Sequence, residues 1–237
     1  GLIAGHTYSA TLLAYNIHGD GPTTTLTSIT TDDKPAPVTG LTIATSGTDV
    51  VFSWAAATDN GDAITDYTLQ MTDTLAFTPP ACTGITTLTC TVSMADILTG
   101  TTQATDGTFI SISVTATNSH GTSTPSTFTS TTVYYAKEPT NAGTGHAVSA
   151  KTDTTITIAW TDVPTGAASN WNDVTSYTVE YRVTTVDPWI PSPNTTAGSP
   201  ITVEGLDTLT TYDFRVKATN DYGTSTPSAT VIERTNG

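Results

Sequence analysis

Histidine and acidic side chains are the residues of this chain whose types suit acid–base or metal chemistry. His18 and His120 stand at the same position of a repeated turn, where the third copy has Tyr222. That repetition favours a role in turn geometry over metal binding, and His6 and His146 are isolated in the sequence. Neither a Gly-x-Ser-x-Gly elbow nor a His-Glu-x-x-His motif occurs. The sequence therefore predicts no catalytic residue, no metal site and no bound cofactor.

One acidic segment, Asp59-Asn60-Gly61-Asp62, resembles the start of a calcium-binding loop. The chain continues Ala-Ile-Thr-Asp, so the bidentate Glu that closes an EF-hand loop is missing. Asp, Asn and Gly are also the residues that tight turns favour. We interpret the segment as a turn, and we leave open diffuse calcium binding by the acidic surface as a whole.

The repeated turn is the strongest signal in the sequence. Its three copies begin at Asn16, Asn118 and Asn220, each reads Asn-x-x-Gly, and each is followed by a proline (Pro22, Pro125 and Pro227). Both intervals are 102 residues, 118 minus 16 and 220 minus 118. Solenoid repeats span only about 20–50 residues, whereas a period of this length suits one small domain per repeat. Because the first copy comes so early, we expect the chain to open within a domain.

Composition and pattern indicate that these domains are all-β. About a quarter of the residues are Thr, and β-branched side chains suit strands and resist helices. The segment before the third turn alternates, with Tyr212, Phe214, Val216 and Ala218 on one face. Such a period of two is typical of a half-buried strand. We found no stretch of a dozen residues with uninterrupted helical periodicity.

Charge and hydropathy exclude several functional classes. The net charge is −14, from 21 acidic and 7 basic residues. A nucleic-acid-binding protein needs clustered Lys and Arg to neutralise phosphates, so no nucleic acid is expected as a partner. No run of 18 apolar residues is present, so we expect no membrane insertion in this segment. Any export or anchoring signal is expected to lie outside it.

Several motifs occur in the same order in more than one copy. These are the tryptophan that ends the second strand, a Leu-x5-Tyr step before the sixth strand, and the Asn-x-x-Gly turn after it. The residues are Trp54 and Trp160, then Leu2/Tyr8 and Leu206/Tyr212, then Asn16, Asn118 and Asn220. Together they resemble tandem fibronectin type III domains. The resemblance implies seven-stranded antiparallel β-sandwiches with Greek-key connections and a tyrosine corner at Tyr8 and Tyr212.

The resemblance also implies domain boundaries. Residues 1–33 supply the last three strands of a partial first domain, 36–136 form the second domain, and 139–235 form the third. The joints at residues 32–37 and 136–140 are short and contain proline, which restricts bending more than a Gly/Ser linker does. We therefore expect a semi-rigid rod of domains in line.

The second copy departs from the family pattern. Ile110 stands where the third copy has Tyr212, and residues 101–106 have the character of an insertion. The same copy contains Cys82 and Cys90, eight residues apart around Gly84. We predict a disulfide between them, with two free buried thiols as the alternative. Our hypothesis is that this disulfide replaces the lost tyrosine tether.

Two surface features have both a structural and a functional interpretation. Asn194-Thr195-Thr196 is an N-glycosylation sequon in a proline-rich loop, although so short a motif also arises by chance. Trp171 lies in a polar loop, where it is a possible interface residue that stacks on a sugar or a neighbouring subunit. The alternative for Trp171 is that it covers the end of its own core.

The partial first domain bears on function, because Tyr8, Ala10, Leu12 and Ala14 are expected to form a core face that three strands alone leave in water. We expect one of three explanations. The chain is a segment cut from a longer repetitive protein, it is a proteolytic fragment, or the missing strands come from another subunit, as in strand addition along a fibre.

We predict a non-catalytic extracellular structural protein, a glycosylated segment of a long rod or filament. Its partners would be adjacent repeats or other copies, with cell-surface proteins or glycans as further partners. The alternatives are a spacer of a secreted carbohydrate-active enzyme and the stalk of an adhesion receptor.

Overall fold

The structure is a computed structural model that describes residues 1–3, 5–72, 77–100, 107–170, 172–183 and 188–237, without the side chains of Thr27, Ala167 and Ala168. It divides between Val133 and Tyr134 into two compact units, and residues 107–109 group with the second unit. The strand pairs whose register the structure describes are all antiparallel. The all-β fold with tandem sandwiches that the sequence predicts is confirmed.

The first unit contains two small sheets followed by a sandwich. Its elements in chain order are β1 (Thr7–Leu12), β2 (Tyr15–Asn16), β3 (Gly19–Asp20), β4 (Thr24–Thr30), β5 (Thr39–Ser46), β6 (Asp49–Ala55), β7 (Asp66–Met71), β8 (Thr89–Ser93), α1 (Met94–Gly100), β9 (Phe109–Asn118), β10 (Gly121–Thr122) and β11 (Ser126–Tyr134). Strands β5-β6-β8 form one sheet of the sandwich, and β10-β9-β11 with β7 on β9 form the other. Alternate residues of β6 and β7 face the core between them, among them Phe52, Trp54 and Leu69.

The second unit contains one complete sandwich. Its strands are β12 (Thr144–Lys151), β13 (Ile156–Thr161), β14 (Ser176–Val183), β15 (Ile190–Thr196), β16 (Ile201–Val203), β17 (Thr211–Asn220), β18 (Gly223–Thr224) and β19 (Val231–Arg234). One sheet has the order β12-β13-β16, and the other has β15-β14-β17-β18 with β19 on β17. The face of β17 that the alternation identifies is buried, and Phe214 and Val216 pack with Ile158 and Trp160 in the core.

Helix α1 is an element that the sequence interpretation missed. It spans seven residues in the connection before β9, and Met94 and Ile97 are fully buried. Ser93 caps it, because its Oγ accepts the N–H of Asp96 at 3.0 Å and donates to the Asp96 carboxylate at 2.7 Å. This Ser-x-x-acid pattern is a capping box. The pattern was visible in the sequence, but the helix is too short to show apolar periodicity.

The first copy of the repeat is a partial sandwich. Strand β1 pairs with β4 and β2 with β3. Tyr8 is half-buried, but Leu12 is 68% exposed and Ile17 is 96% exposed. The expected core position of Leu12 is therefore not buried in this chain, because no second sheet covers β1 and β4 in the described residues.

The tyrosine corner is present in both copies that have the Leu-x5-Tyr step. The Tyr212 hydroxyl accepts the N–H of Asp207 at 2.9 Å, and the Tyr8 hydroxyl accepts the N–H of Ile3 at 2.6 Å. In the second copy Ile110 fills this place and is fully buried. Each tyrosine thus fixes the backbone five residues upstream.

Tyr212→Phe is expected to lower the free energy of unfolding of the third repeat by about 1–2 kcal/mol, because the N–H of Asp207 loses its acceptor. Urea denaturation followed by tryptophan fluorescence measures this change. Tyr222→Phe is a matched control, because the hydrogen bond described for Tyr222 is made by its backbone N–H. Equal stability of Tyr212→Phe and the unsubstituted protein would contradict the role of the hydroxyl.

Candidate functional site: amide clamps at the repeat joints

The asparagine that opens each repeated turn fixes the turn itself. Its Oδ1 accepts the backbone N–H two residues further on: His18 N at 2.8 Å, His120 N at 2.9 Å and Tyr222 N at 2.9 Å. This is an Asx turn, in which a side chain imitates a backbone turn. The three copies therefore share a local geometry that explains the Asn of the motif.

The side-chain amide of Asn118 also binds the joint that precedes its repeat. Its Nδ2 lies 2.7 Å from the carbonyl oxygen of Asp33 and 3.2 Å from those of Asp59 and Asp62. An amide has two N–H groups, so three carbonyls share two donors. Asn118 is only 4% exposed, so its amide is largely shielded from water and these carbonyls satisfy its N–H groups.

Asn220 makes the same arrangement in the third repeat. Its Nδ2 lies 2.8 Å from the carbonyl oxygen of Lys137, 3.1 Å from that of Asn172 and 3.4 Å from that of Ser169. Asp33 and Lys137 occupy equivalent positions, two residues before Pro35 and Pro139. The same bond thus recurs at both joints.

A second amide binds the next carbonyl of each joint. Nδ2 of Asn60 donates to the carbonyl oxygen of Lys34 at 2.9 Å, and Nδ2 of Asn170 donates to that of Glu138. Both asparagines have positive φ, 55° and 53°, a conformation that Asn tolerates better than most residues. We call these pairs the joint clamps: Asn60 with Asn118, and Asn170 with Asn220.

The first clamp lies beside a close approach of the first copy to the following loop. The N–H of Asp33 donates to the carbonyl oxygen of Asn60 at 3.1 Å. A Cβ on Gly61 would lie 2.7 Å from Oδ1 of Asp32. Gly61 also has φ of 95°, so both space and conformation require glycine there. The predicted turn at 59–62 thus packs against the end of the first copy.

A Ser-His-Asp group lies next to the first clamp, but its geometry is not that of a catalytic triad. Nδ1 of His120 is 3.2 Å from Oδ2 of Asp62 and 3.3 Å from Oγ of Ser119. A catalytic histidine contacts the acid and the nucleophile through opposite ring nitrogens, whereas here both contacts fall on Nδ1. The same Asp62 oxygen accepts the N–H of Ser119 at 2.8 Å. Hydrogen bonds from Ser119 and His120 lower the pKa of Asp62, so the group stabilises the turn.

The repeats contain a buried serine that the sequence interpretation missed. Oγ of Ser123 accepts the N–H of Ala116 at 3.1 Å, and Oγ of Ser225 accepts that of Ala218 at 3.0 Å. Both serines are about as buried as Asn118 and Asn220. The identical segments Gly-Thr-Ser-Thr-Pro-Ser at 121–126 and 223–228 were the available signal.

The remaining candidate residues have the following places. Cys82 and Cys90 are joined in a disulfide, with Cα atoms 5.6 Å apart. Trp54 and Trp160 lie in the cores. In the described ranges no group of three or more His, Cys, Asp and Glu side chains is arranged to hold a metal ion. The possible interface residue Trp171 and the insertion at 101–106 lie outside the described residues.

A charged ladder covers one face of the third sandwich. The guanidinium carbons of Arg182 and Arg215 lie 4.5 and 4.2 Å from the ring centroid of Trp189. Glu180 pairs with Arg215 at 2.6 Å and with Lys217 at 2.8 Å. Burial raises the pKa of Glu180, but the hydrogen bonds and charges of Lys217 and Arg215 outweigh it, and its pKa is lowered overall.

This lowered pKa sets the sign of a pH dependence. A carboxylate with a depressed folded pKa stabilises the fold above its unfolded pKa, and the contribution is lost as pH falls through the folded value. Glu180→Gln is therefore expected to lower the free energy of unfolding by about 1 kcal/mol at neutral pH. This difference should shrink as pH falls below about 4.3, the ordinary pKa of Glu, and it should be lost once the pH is below the lowered folded pKa. Urea denaturation at pH 7 and at acid pH measures it, with exposed Glu204→Gln as the control. A difference that persists unchanged in acid would contradict the ion-pair origin.

The sandwiches and their clamped joints define a multidomain β-sandwich protein. Residues 139–234 match the family model of the fibronectin type III domain. The third repeat is therefore a fibronectin type III domain, and the second repeat shares its motifs and its two-sheet sandwich fold. In the part of the chain that the structure describes, no helix is long and apolar enough to cross a membrane.

Two solved structures are similar to this chain. The first is the crystal structure of the chicken CNTN1 FN1–FN3 domains, whose sequence is 18% identical to this one. The match covers 100% of this chain and 78% of that one, with a TM-score of 0.45. The second is a structure of titin kinase and its flanking domains, with 28% sequence identity. This match covers 41% of this chain and 17% of that one, with a TM-score of 0.37.

Proposed function

We propose that this chain is a segment of a non-catalytic extracellular structural protein, a long, glycosylated rod or filament of fibronectin type III repeats. Its partners are adjacent repeats, other copies of the protein, and cell-surface proteins or glycans. In this role the sandwiches bear load and the joints keep the spacing between repeats. Sheet edges and exposed loops provide the lateral contacts.

The recurrence of the joint clamp is the observation that carries this proposal. Two amides bind two successive joint carbonyls, and the arrangement occurs at both joints, 104 positions apart (Lys34 and Glu138). A flexible spacer between independent modules needs no such bonds, because linker composition alone keeps it mobile. A load-bearing chain does benefit, because each joint is fixed to the repeat that follows it.

Two further observations support the extracellular setting and the assembly. The disulfide between Cys82 and Cys90 suits an oxidising compartment. Eight of the large apolar side chains exposed in the described residues fall within residues 1–31: Leu2, Ile3, Leu12, Leu13, Tyr15, Ile17, Leu26 and Ile29. Exposed apolar surface of this extent is normally covered, and an adjacent repeat or another copy would supply the cover.

Electron microscopy of the native source material tests the proposal. The expected result is a filament in which sandwich densities follow one another at a constant spacing, with the face of residues 1–31 covered by further strands. Discrete particles in which that face lies uncovered would overturn the filament. A catalytic domain on the same polypeptide would instead support the spacer of a secreted enzyme.

A further inference from the structure

The side chain of Asn194 connects the edges of two sheets in the third repeat. Asn194 is exposed and lies in β15, the edge strand of the sheet β15-β14-β17-β18, and not in the proline-rich loop that the sequence predicts. Its Nδ2 donates to the carbonyl oxygen of Thr202 at 3.0 Å. Thr202 lies in β16, the edge strand of the sheet β12-β13-β16. Asn194 thus sits on the seam where two unpaired strand edges lie side by side.

This asparagine opens the sole Asn-x-Ser/Thr sequon of the sequence, Asn194-Thr195-Thr196. The position after it is not proline, and the Thr195 side chain is exposed. The hydroxyl of Thr196 donates to the carbonyl oxygen of Gly198 and accepts the N–H of Gly198 at 3.3 Å. The folded turn thus occupies the hydroxyl that the sequon requires, so sugar transfer has to precede closure of the turn.

We propose that Asn194 is an N-glycosylation site whose glycan covers the seam between β15 and β16, an inference that rests on the proposed extracellular function. In the transfer, Nδ2 forms a bond to the anomeric carbon of an oligosaccharide linked to a lipid pyrophosphate. The bond from that carbon to the pyrophosphate oxygen breaks, the lipid pyrophosphate leaves with the electron pair, and Nδ2 loses one proton. The remaining N–H is available to donate to the Thr202 carbonyl.

The glycan has a structural consequence at this position. Unpaired strand edges are templates for pairing with another chain, and β15 and β16 present two such edges together. A glycan between them blocks strand addition from this side of the sandwich. Lateral contacts in a filament then have to use other surfaces of the third repeat.

The first test is site-specific mass spectrometry of the whole chain, secreted from a eukaryotic host. Deglycosylation by a peptide N-glycosidase in ¹⁸O-water marks each occupied asparagine as ¹⁸O-labelled aspartate. We expect the label at Asn194 in the unsubstituted protein and in Thr196→Ser and Thr195→Ala. Thr196→Val should be unlabelled, although it keeps Asn194. An unlabelled Asn194, with a sequon-bearing reporter from the same cells labelled, would overturn the proposal while leaving the joint clamps untouched.

A second test addresses the shielding of the seam. Thr195→Cys keeps the sequon and places a thiol on β15, and Thr195→Cys with Thr196→Val carries the same thiol without the sequon. Under mild oxidation we expect several-fold less disulfide-linked dimer through residue 195 in the glycosylated variant. Equal dimer yields would show that the glycan does not cover this edge.

Discussion

Asn220→Ala is expected to lower the free energy of unfolding of the third repeat by about 3 kcal/mol, because several backbone groups lose their partners at once. The substitution removes the amide that binds the carbonyls of Lys137, Asn172 and Ser169, and it removes the Oδ1 that accepts the N–H of Tyr222. Asn220 is 4% exposed, so water replaces these bonds poorly. Urea denaturation followed by tryptophan fluorescence measures the loss.

Asn16→Ala is the matched control for this prediction. Asn16 makes the same turn bond, to the N–H of His18, but it is exposed. Its substitution should therefore remove the turn bond without removing any bond to a joint carbonyl, and it should lower the free energy of unfolding by about 1 kcal/mol or less. Equal losses in Asn16→Ala and Asn220→Ala would mean that the joint carbonyls contribute nothing.

Removal of the disulfide is expected to lower the free energy of unfolding of the second repeat by about 2–3 kcal/mol. The bond closes a loop with a sequence separation of 8, and constraint of the unfolded chain by so short a loop accounts for a loss of that size. Cys82→Ala combined with Cys90→Ala is the variant, and denaturation of the whole chain is the measurement. The third repeat contains no cysteine and serves as the internal control.

The outcome also bears on our hypothesis that the disulfide replaces a tyrosine tether. In the second repeat α1 occupies the connection before β9, and Ile97 and Ile110 are buried there. If the double alanine variant unfolds at the same urea concentration as the unsubstituted protein, α1 alone fixes the connection before β9. A loss confined to the second repeat would support the hypothesis.

The strands were predictable because their apolar residues alternate. In β17 the alternation identified Tyr212, Phe214, Val216 and Ala218, and all four are buried. Helix α1 was not predicted because seven residues are too few to show an apolar periodicity. Ser93 and Asp96 nevertheless formed a recognisable capping box. Local patterns thus predict strands well and short helices poorly.

The joint clamps were only partly predictable. The sequence identified Asn118 and Asn220 through their spacing, but it could not identify their acceptors, which lie 85 and 83 residues away. Asn60 and Asn170 stand at unequal distances from their joint carbonyls, 26 and 32 residues. That difference hides their equivalence from a search for a fixed period, and only the folded chain brings the two amides of each clamp together.

The fixed joint is the central claim, and ¹⁵N relaxation of the joint amides tests it most directly. If the clamp holds, the backbone order parameters of Lys137 and Glu138 should match those of β17, near about 0.85, and Asn220→Ala should lower them toward about 0.6. The Asn16→Ala variant should leave them unchanged. Order parameters below about 0.6 at Lys137 and Glu138 in the unsubstituted protein would contradict a fixed joint.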